Sequence, residues 1–216
     1  MPRENATSTL TRRQREFRAR QQEIFAAARS LFIKNGYYNT TLEEIAQHAE
    51  FGKGTIYNYF GSKEELFQGI IDELTAEVLS IAKKTIATTP GSAREKFTAY
   101  GKSMIIHARA QTDLFNVLMR EFAHLHPGDA RLKEIQKRAH SLWDILAKPL
   151  RVAMRRGEIR RVDPVQSAAL FDSMLRVYGA HRLSPFELVT PAQVEGAVQL
   201  VVSTFFDGIA ERKSKE

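Results

Sequence analysis

Apolar residues along this chain recur at three- and four-residue spacing almost throughout, and no stretch keeps the strict alternation of a half-buried strand. The first periodic segment runs from Thr11 to Asn35, with Phe17, Ile24, Phe25, Ala28, Leu31 and Phe32 on one face, and stops at Gly36. Two short helices follow, from Leu42 to about Ala49 and from Lys53 to Tyr59. A long helix starts at Ser62 and ends at Thr88-Thr89-Pro90-Gly91. Further helices are predicted over Ser92–Ala110, Asp113–Leu125, Asp129–Arg156, Pro164–His181 and Pro191–Arg212, with a kink or break at Pro149 inside the Asp129–Arg156 segment.

The starts are marked chemically as well as by periodicity. A short polar side chain followed three residues later by Glu or Gln is a capping box, in which cap and third residue each satisfy a backbone N–H of the other. Six such pairs precede apolar-periodic runs: Thr11 and Gln14, Thr41 and Glu44, Ser62 and Glu65, Ser92 and Glu95, Asp163 and Gln166, Thr190 and Gln193. The predicted fold class is all-α, about nine helices. Residues 1–20 form a basic arm and the start of the first helix, 21–67 a three-helix N-terminal module, and 68–216 a larger helical domain.

Composition narrows the chemistry. The chain has 216 residues and no cysteine, which excludes disulfides, thiolate metal sites and cysteine nucleophiles, and fits a reducing, cytoplasmic setting. No apolar run approaches the ~20 residues of a membrane span. The net charge is +7, and residues 1–20 alone carry six arginines against two glutamates. A basic balance of this kind suits a polyanionic partner.

Two short helices joined by a tight turn behind a longer helix make a helix-turn-helix, whose second member enters the major groove of DNA. The segment Gly52-Lys53-Gly54-Thr55-Ile56-Tyr57-Asn58-Tyr59-Phe60-Gly61-Ser62-Lys63 offers small, hydroxyl and aromatic side chains for a groove, with Lys53 and Lys63 placed for phosphates. Thr41 caps the first short helix, whose N-terminus is an anion site in its own right. Ile45, Ala46, Ala49, Ile56 and Phe60 read as module core, and Tyr59 either packs or points its hydroxyl outward. Lys63 stands in the first turn of a helix, where a cation is locally unfavourable, and that conflict favours a phosphate partner.

At these residues the chain resembles the DNA-binding module of the tetracycline-repressor (TetR/AcrR) family. The matching pieces are Ala28-Arg29-Ser30-Leu31-Phe32, Asn35-Gly36-Tyr37, Thr40-Thr41-Leu42-Glu43-Glu44-Ile45-Ala46, Lys53 to Phe60, and Ser62-Lys63-Glu64-Glu65-Leu66-Phe67. The resemblance implies a ligand-responsive, sequence-specific transcriptional regulator: a homodimer, by family default a repressor, released from a palindromic double-stranded DNA operator by a small effector, with no cofactor or metal. Carried over residue by residue, it places DNA contacts at Thr41, Gly52, Lys53, Gly54, Thr55, Tyr57, Asn58, Tyr59 and Lys63. One departure stands in the turn, Ala49-Glu50-Phe51-Gly52: Glu50 replaces a glycine that tolerates a left-handed backbone, and Gly52 lacks a capping hydroxyl.

The larger domain suggests two further sites. Met104, Phe115, Met119, Phe122, Trp143, Phe171, Met174 and Tyr178, with His107, Arg120, His140 and Arg176 as polar company, form an aromatic and methionine set for a mostly apolar effector, although the same stripe also describes ordinary core. The last helix is apolar around far more than the ~100° a single core-facing stripe needs. The helix from Pro164 is apolar over about half its circumference, and the surplus of the two, including Val194, Val198, Val201, Val202, Phe205 and Phe206, is assigned to packing against the partner's equivalent pair as a four-helix bundle. His124 and His126 flank Leu125 and read as surface residues rather than zinc ligands. The rival functions are a helical enzyme and a protein-interaction adaptor. The first lacks a convergent nucleophile, base and oxyanion donors, and the second leaves the chemistry of Lys53 to Lys63 unused.

Overall fold

The computed structural model describes residues 11–122, 129–182 and 190–209. Among them are nine helices and no strand: α1 Arg12–Asn35, α2 Leu42–His48, α3 Lys53–Tyr59, α4 Lys63–Thr88, α5 Ala93–Ala110, α6 Thr112–Phe122, α7 Ala130–Arg155, α8 Pro164–Arg182 and α9 Pro191–Ile209. The chain divides into two compact units, Met1–Asp72 and Glu73–Glu216. No helix among the described residues is long and apolar enough to cross a membrane.

The helix starts follow from the capping pairs. Reciprocal boxes form at Thr11 with Gln14, Thr41 with Glu44, and Ser92 with Glu95, and Thr190 exchanges the same two bonds with Gln193. Two pairs close differently. Ser62 Oγ accepts from Glu65 N–H at 3.1 Å, but the Glu65 carboxylate accepts from Gly61 N–H at 2.9 Å. Asp163 accepts from the N–H groups of Val165 and Gln166, at 2.9 and 2.8 Å.

In the first unit, α1, α2, α3 and the start of α4 enclose Ile24, Phe25, Ala28, Phe32, Ile45, Ile56, Phe60, Leu66, Phe67 and Ile70. Phe17 is not part of that core: it is half-exposed and stacks on Tyr59, ring centroids 4.4 Å apart. Ala49 is only half-buried. The α2–α3 turn is a complete left-handed helix cap. Phe51 N–H reaches back to the Ala46 carbonyl at 2.9 Å, Glu50 N–H to Gln47 at 3.2 Å, and Glu50 itself has φ 58°. The end of α7 has the same pair of bonds, Glu158 to Ala153 and Gly157 to Met154, with glycine at the left-handed position. At Glu50 a β-carbon stands where glycine is preferred.

The second unit is built on Phe97, Tyr100, Leu146, Leu150, Phe171, Val198, Val202, Phe205 and Phe206. Helix α5 packs on α9 and α7 on α8. The approach of α5 to α9 is close enough that a β-carbon on Gly101 would lie 3.2 Å from Val198. Helix α7 runs through Pro149 as one helix, so of the expected kink or break the break does not occur.

Helix α9 packs its apolar side into its own chain. Val194, Val198, Val201, Val202, Phe205 and Phe206 are all buried within the single chain, with Phe205 against Phe97 and Phe171, and Phe206 against Phe97. The surplus apolar surface arises because α9 is flanked by both α5 and α8 of its own chain. Within the single chain these six side chains are left at most 9% exposed.

The strained position yields a stability prediction. Glu50→Gly removes the β-carbon clash of a left-handed residue, ~1–2 kcal/mol, less glycine's own entropy cost. A net gain of about 0.5–1 kcal/mol is expected in urea unfolding. A loss of stability would mean that the Glu50 side chain makes a compensating contact.

Candidate nucleic-acid interface

Helix α3 has two faces. Ile56 is fully buried, and Phe60 just past its end is also buried, against Phe25. The opposite face exposes Lys53, Gly54 and Asn58 and leaves Tyr57 43% exposed; Thr55 and Tyr59 are half-buried. Gly52 caps the helix with extended backbone, φ −63° and ψ 145°, and no side-chain bond. A β-carbon on Gly54 would meet nothing within 4 Å. The protein's own packing therefore does not require glycine there, although glycine inside a helix costs about 1 kcal/mol relative to alanine.

Glu43 of α2 ties this face together. Its Oε1 lies 2.6 Å from Lys53 Nζ and accepts the Tyr57 hydroxyl at 3.1 Å. Lys53 foremost, then the Glu43 N–H and Tyr57, hold the Glu43 carboxyl below its usual range, while Glu43 raises the Lys53 ammonium. Both groups are charged across the neutral range. Glu43 is an acidic member of the face that sequence reasoning passed over, since nothing in the ten-residue spacing of Glu43 and Lys53 announces that they meet.

Two further assigned contacts are also engaged within the chain. Thr41 Oγ1 accepts from Glu44 N–H at 3.2 Å and donates to the Glu44 carboxylate at 3.0 Å, and Thr41 N–H also goes to that carboxylate, at 2.8 Å. The N-terminus of α2 thus already holds an anion, its own Glu44. Lys63 Nζ donates to the carbonyls of Tyr37 at 2.9 Å, Thr40 at 2.9 Å and Tyr38 at 3.4 Å, and lies 4.5 Å from the centre of the Tyr37 ring. An ammonium has three donors, and all three are engaged. The carbonyl cluster of the α1–α2 loop offsets the lysine at this helix N-terminus. Thr40, fully buried, closes the same loop by donating to the Gly36 carbonyl at 2.8 Å.

The Phe17–Tyr59 stack brings the first turns of α1 beside the end of α3. Arg13, Arg15, Arg18 and Arg20 are exposed there, and Arg12 pairs with Glu16 at 2.7 Å. The arm from Met1 to Leu10 lies outside the described residues, as do His124 and His126.

The residues expected around an effector separate into two groups. Met104 and Phe171 are buried in the second unit's core, with Trp143, Met174 and Tyr178 packed against it. Phe115 and Met119 are about 40% exposed on α6, and His107 lies 3.7 Å from Glu77. The Phe122 side chain lies outside the described set. Within the core group sits an unpredicted residue, Asp172, which is 1% exposed. It accepts from Tyr100 at 3.0 Å and Trp143 Nε1 at 3.3 Å and pairs with Arg176 at 2.9 Å. Its signal was an acid on the apolar face of α8, four residues before an arginine.

Comparison with known proteins agrees with this geometry. The profile of "Bacterial regulatory proteins, tetR family" matches residues 24–70. The helix-turn-helix-type transcriptional regulator YhgD of Bacillus subtilis is 30% identical over 160 residues, 74% of this chain and 80% of YhgD. The helix-turn-helix regulator QacR of Staphylococcus aureus is 44% identical over 52 residues, 24% of this chain and 28% of QacR. Among solved structures, the transcriptional regulator FadR of Bacillus subtilis, in complex with stearoyl-CoA, superposes with a TM-score of 0.71 at 19% identity, covering 87% of this chain and 98% of FadR.

The Lys63 geometry sets a test. Lys63→Ala leaves three carbonyls without a charged donor and is expected to lower stability by about 1–3 kcal/mol in urea unfolding. The salt dependence of DNA binding, measured where the variant is folded, is expected to stay unchanged. A slope reduced by about one ion per subunit would return Lys63 to the phosphate contacts.

Proposed function

This chain belongs to the TetR family of helix-turn-helix transcriptional regulators, and we propose that it works as a homodimeric repressor that a small, mostly apolar effector releases from a palindromic operator. The observation that carries the DNA-binding part is the outward face of α3: Gly54 with open space around it, flanked by Lys53, Tyr57 and Asn58 and anchored from behind by Ile56. A helix seated in the major groove needs such a position, where its backbone can come close to the duplex. On this reading Thr55, Tyr57 and Asn58 face base edges. Lys53 and the backbone around Gly52 and Gly54 face phosphates, and the exposed arginines of α1 add sequence-independent affinity.

On this reading the dimer face lies on the last two helices, and their exposed side offers apolar surface for it. Leu170 and Val177, seven residues apart on α8, and Leu200 on α9 are large apolar side chains about half-exposed or more. Gly196 and Gly208 of α9 have open space around them and allow close helix approach. A two-fold pairing of these faces buries the apolar side chains and presents two copies of α3 to half-sites about one DNA turn apart, ~34–36 Å.

For the effector, two features support an apolar compound entering the second unit: the half-buried Trp143, Met174 and Tyr178 beside Asp172 and Arg176, and the stearoyl-CoA held by FadR on the same fold. Coupling of the two ligands is reciprocal. To weaken operator binding 100-fold, the effector must prefer the DNA-free state by ~2.7 kcal/mol.

Gly54→Ala separates the DNA-binding reading from a purely structural one. Alanine is expected to stabilise the fold by about 0.5–1 kcal/mol. It is also expected to weaken binding to a duplex selected from a random pool by tenfold or more, roughly the worth of a lost groove contact. Fluorescence anisotropy measures the second quantity, and unchanged affinity would remove the α3 face from the interface.

A further inference from the structure

The Glu43–Tyr57 bond fixes which way the Tyr57 hydroxyl can be read. A phenol has a single proton, and a carboxylate can only accept. At 3.1 Å from Glu43 Oε1, the Tyr57 hydroxyl therefore gives that proton to a surface carboxylate of its own chain and keeps its lone pairs for an outside donor. Lys53 Nζ bonds the same oxygen at 2.6 Å and lies 6.0 Å from the centre of the Tyr57 ring, so the carboxylate is braced from two sides. Tyr57 is 43% exposed as a whole residue and its bond to Glu43 lies at the surface, which leaves the hydroxyl open to a ligand.

An acceptor-only hydroxyl cannot bond a phosphate oxygen, nor guanine O6, guanine N7 or thymine O4, all of which are acceptors. The donors a major groove presents are the adenine N6 and cytosine N4 amino groups. Resting on the DNA-binding reading above, we propose that Tyr57 reads an exocyclic amino group, adenine N6 or cytosine N4, and that Glu43 is the specificity-determining residue that makes it do so. Taking the proton back for a phosphate would leave the Glu43 carboxylate facing the polyanion with one donor fewer. Glu43 thereby also opposes sequence-independent binding, in which phosphates are the main partners.

The test uses the full chain and a duplex selected by the wild type from a random-sequence pool. Removing the amino group from the contacted base (adenine to purine, or cytosine to 2-pyrimidinone) is expected to cost the wild type about tenfold in affinity, the scale of one lost base contact. Tyr57→Phe is expected to show no such dependence. Glu43→Gln keeps a carbonyl acceptor for the Tyr57 proton and is expected to retain it. Glu43→Ala is expected to lose it and to bind random-sequence duplex about 3- to 10-fold more tightly, as a negative charge near the phosphates is removed. Retained amino-group dependence in Tyr57→Phe or in Glu43→Ala would overturn the assignment while leaving DNA binding intact. Failure of the wild type to select any duplex would overturn the reading beneath it.

Discussion

The reading head depends on how the six-residue connection between α1 and α2 is held. Three carbonyls of that loop, on Tyr37, Tyr38 and Thr40, point at one ammonium, Lys63 Nζ, which comes from the first turn of α4. Beneath them the Phe32–Tyr37–Phe67 aromatic cluster holds the loop against α1 and α4. Because Thr41 follows directly, the clamp sets where α2 begins. The left-handed turn at Glu50 then sets where α3 goes. A hydrogen-bonded lysine, a threonine cap and one strained residue thus orient a seven-residue helix that is too short to be stable alone.

On that frame the outward chemistry is economical. One side of α3 is committed to Ile56 and the core. The other side presents a cation, a glycine, a phenol and an amide, and Glu43 controls two of these four. An exposed ion pair such as Glu43–Lys53 adds little stability, so its worth lies in orientation and in the charge it sets beside DNA. The conflict at Glu50, between a β-carbon and a backbone that favours glycine, is borne at a turn next to the binding face, where local strain is often found.

The helices were legible because their ends carry explicit chemistry. Thr11, Thr41, Ser92 and Thr190 each return the bond their sequence spacing implies, and the α3 face followed from the family resemblance. What escaped the sequence depends on pairs of elements. Periodicity on α9 counts apolar positions but not how many neighbours cover them, so the packing of Val198 and Phe205 against α5 and α8 of their own chain does not show in it. The three carbonyls that occupy Lys63 lie more than twenty residues away, and a lone lysine gives no sign of them. Asp172 showed only as an acid out of place on an apolar face, and its partners, Tyr100 and Trp143, come from two other helices.

In the proposed complex two copies of α3, one from each protomer, read successive major grooves of one duplex. Hydroxyl-radical and methylation protection on a selected duplex tests it most directly. The account predicts two symmetric protected half-sites with major-groove protection, centred about 10–10.5 base pairs apart on one face of the DNA. A single protected half-site, or protection confined to the backbone with no base affected, would contradict it.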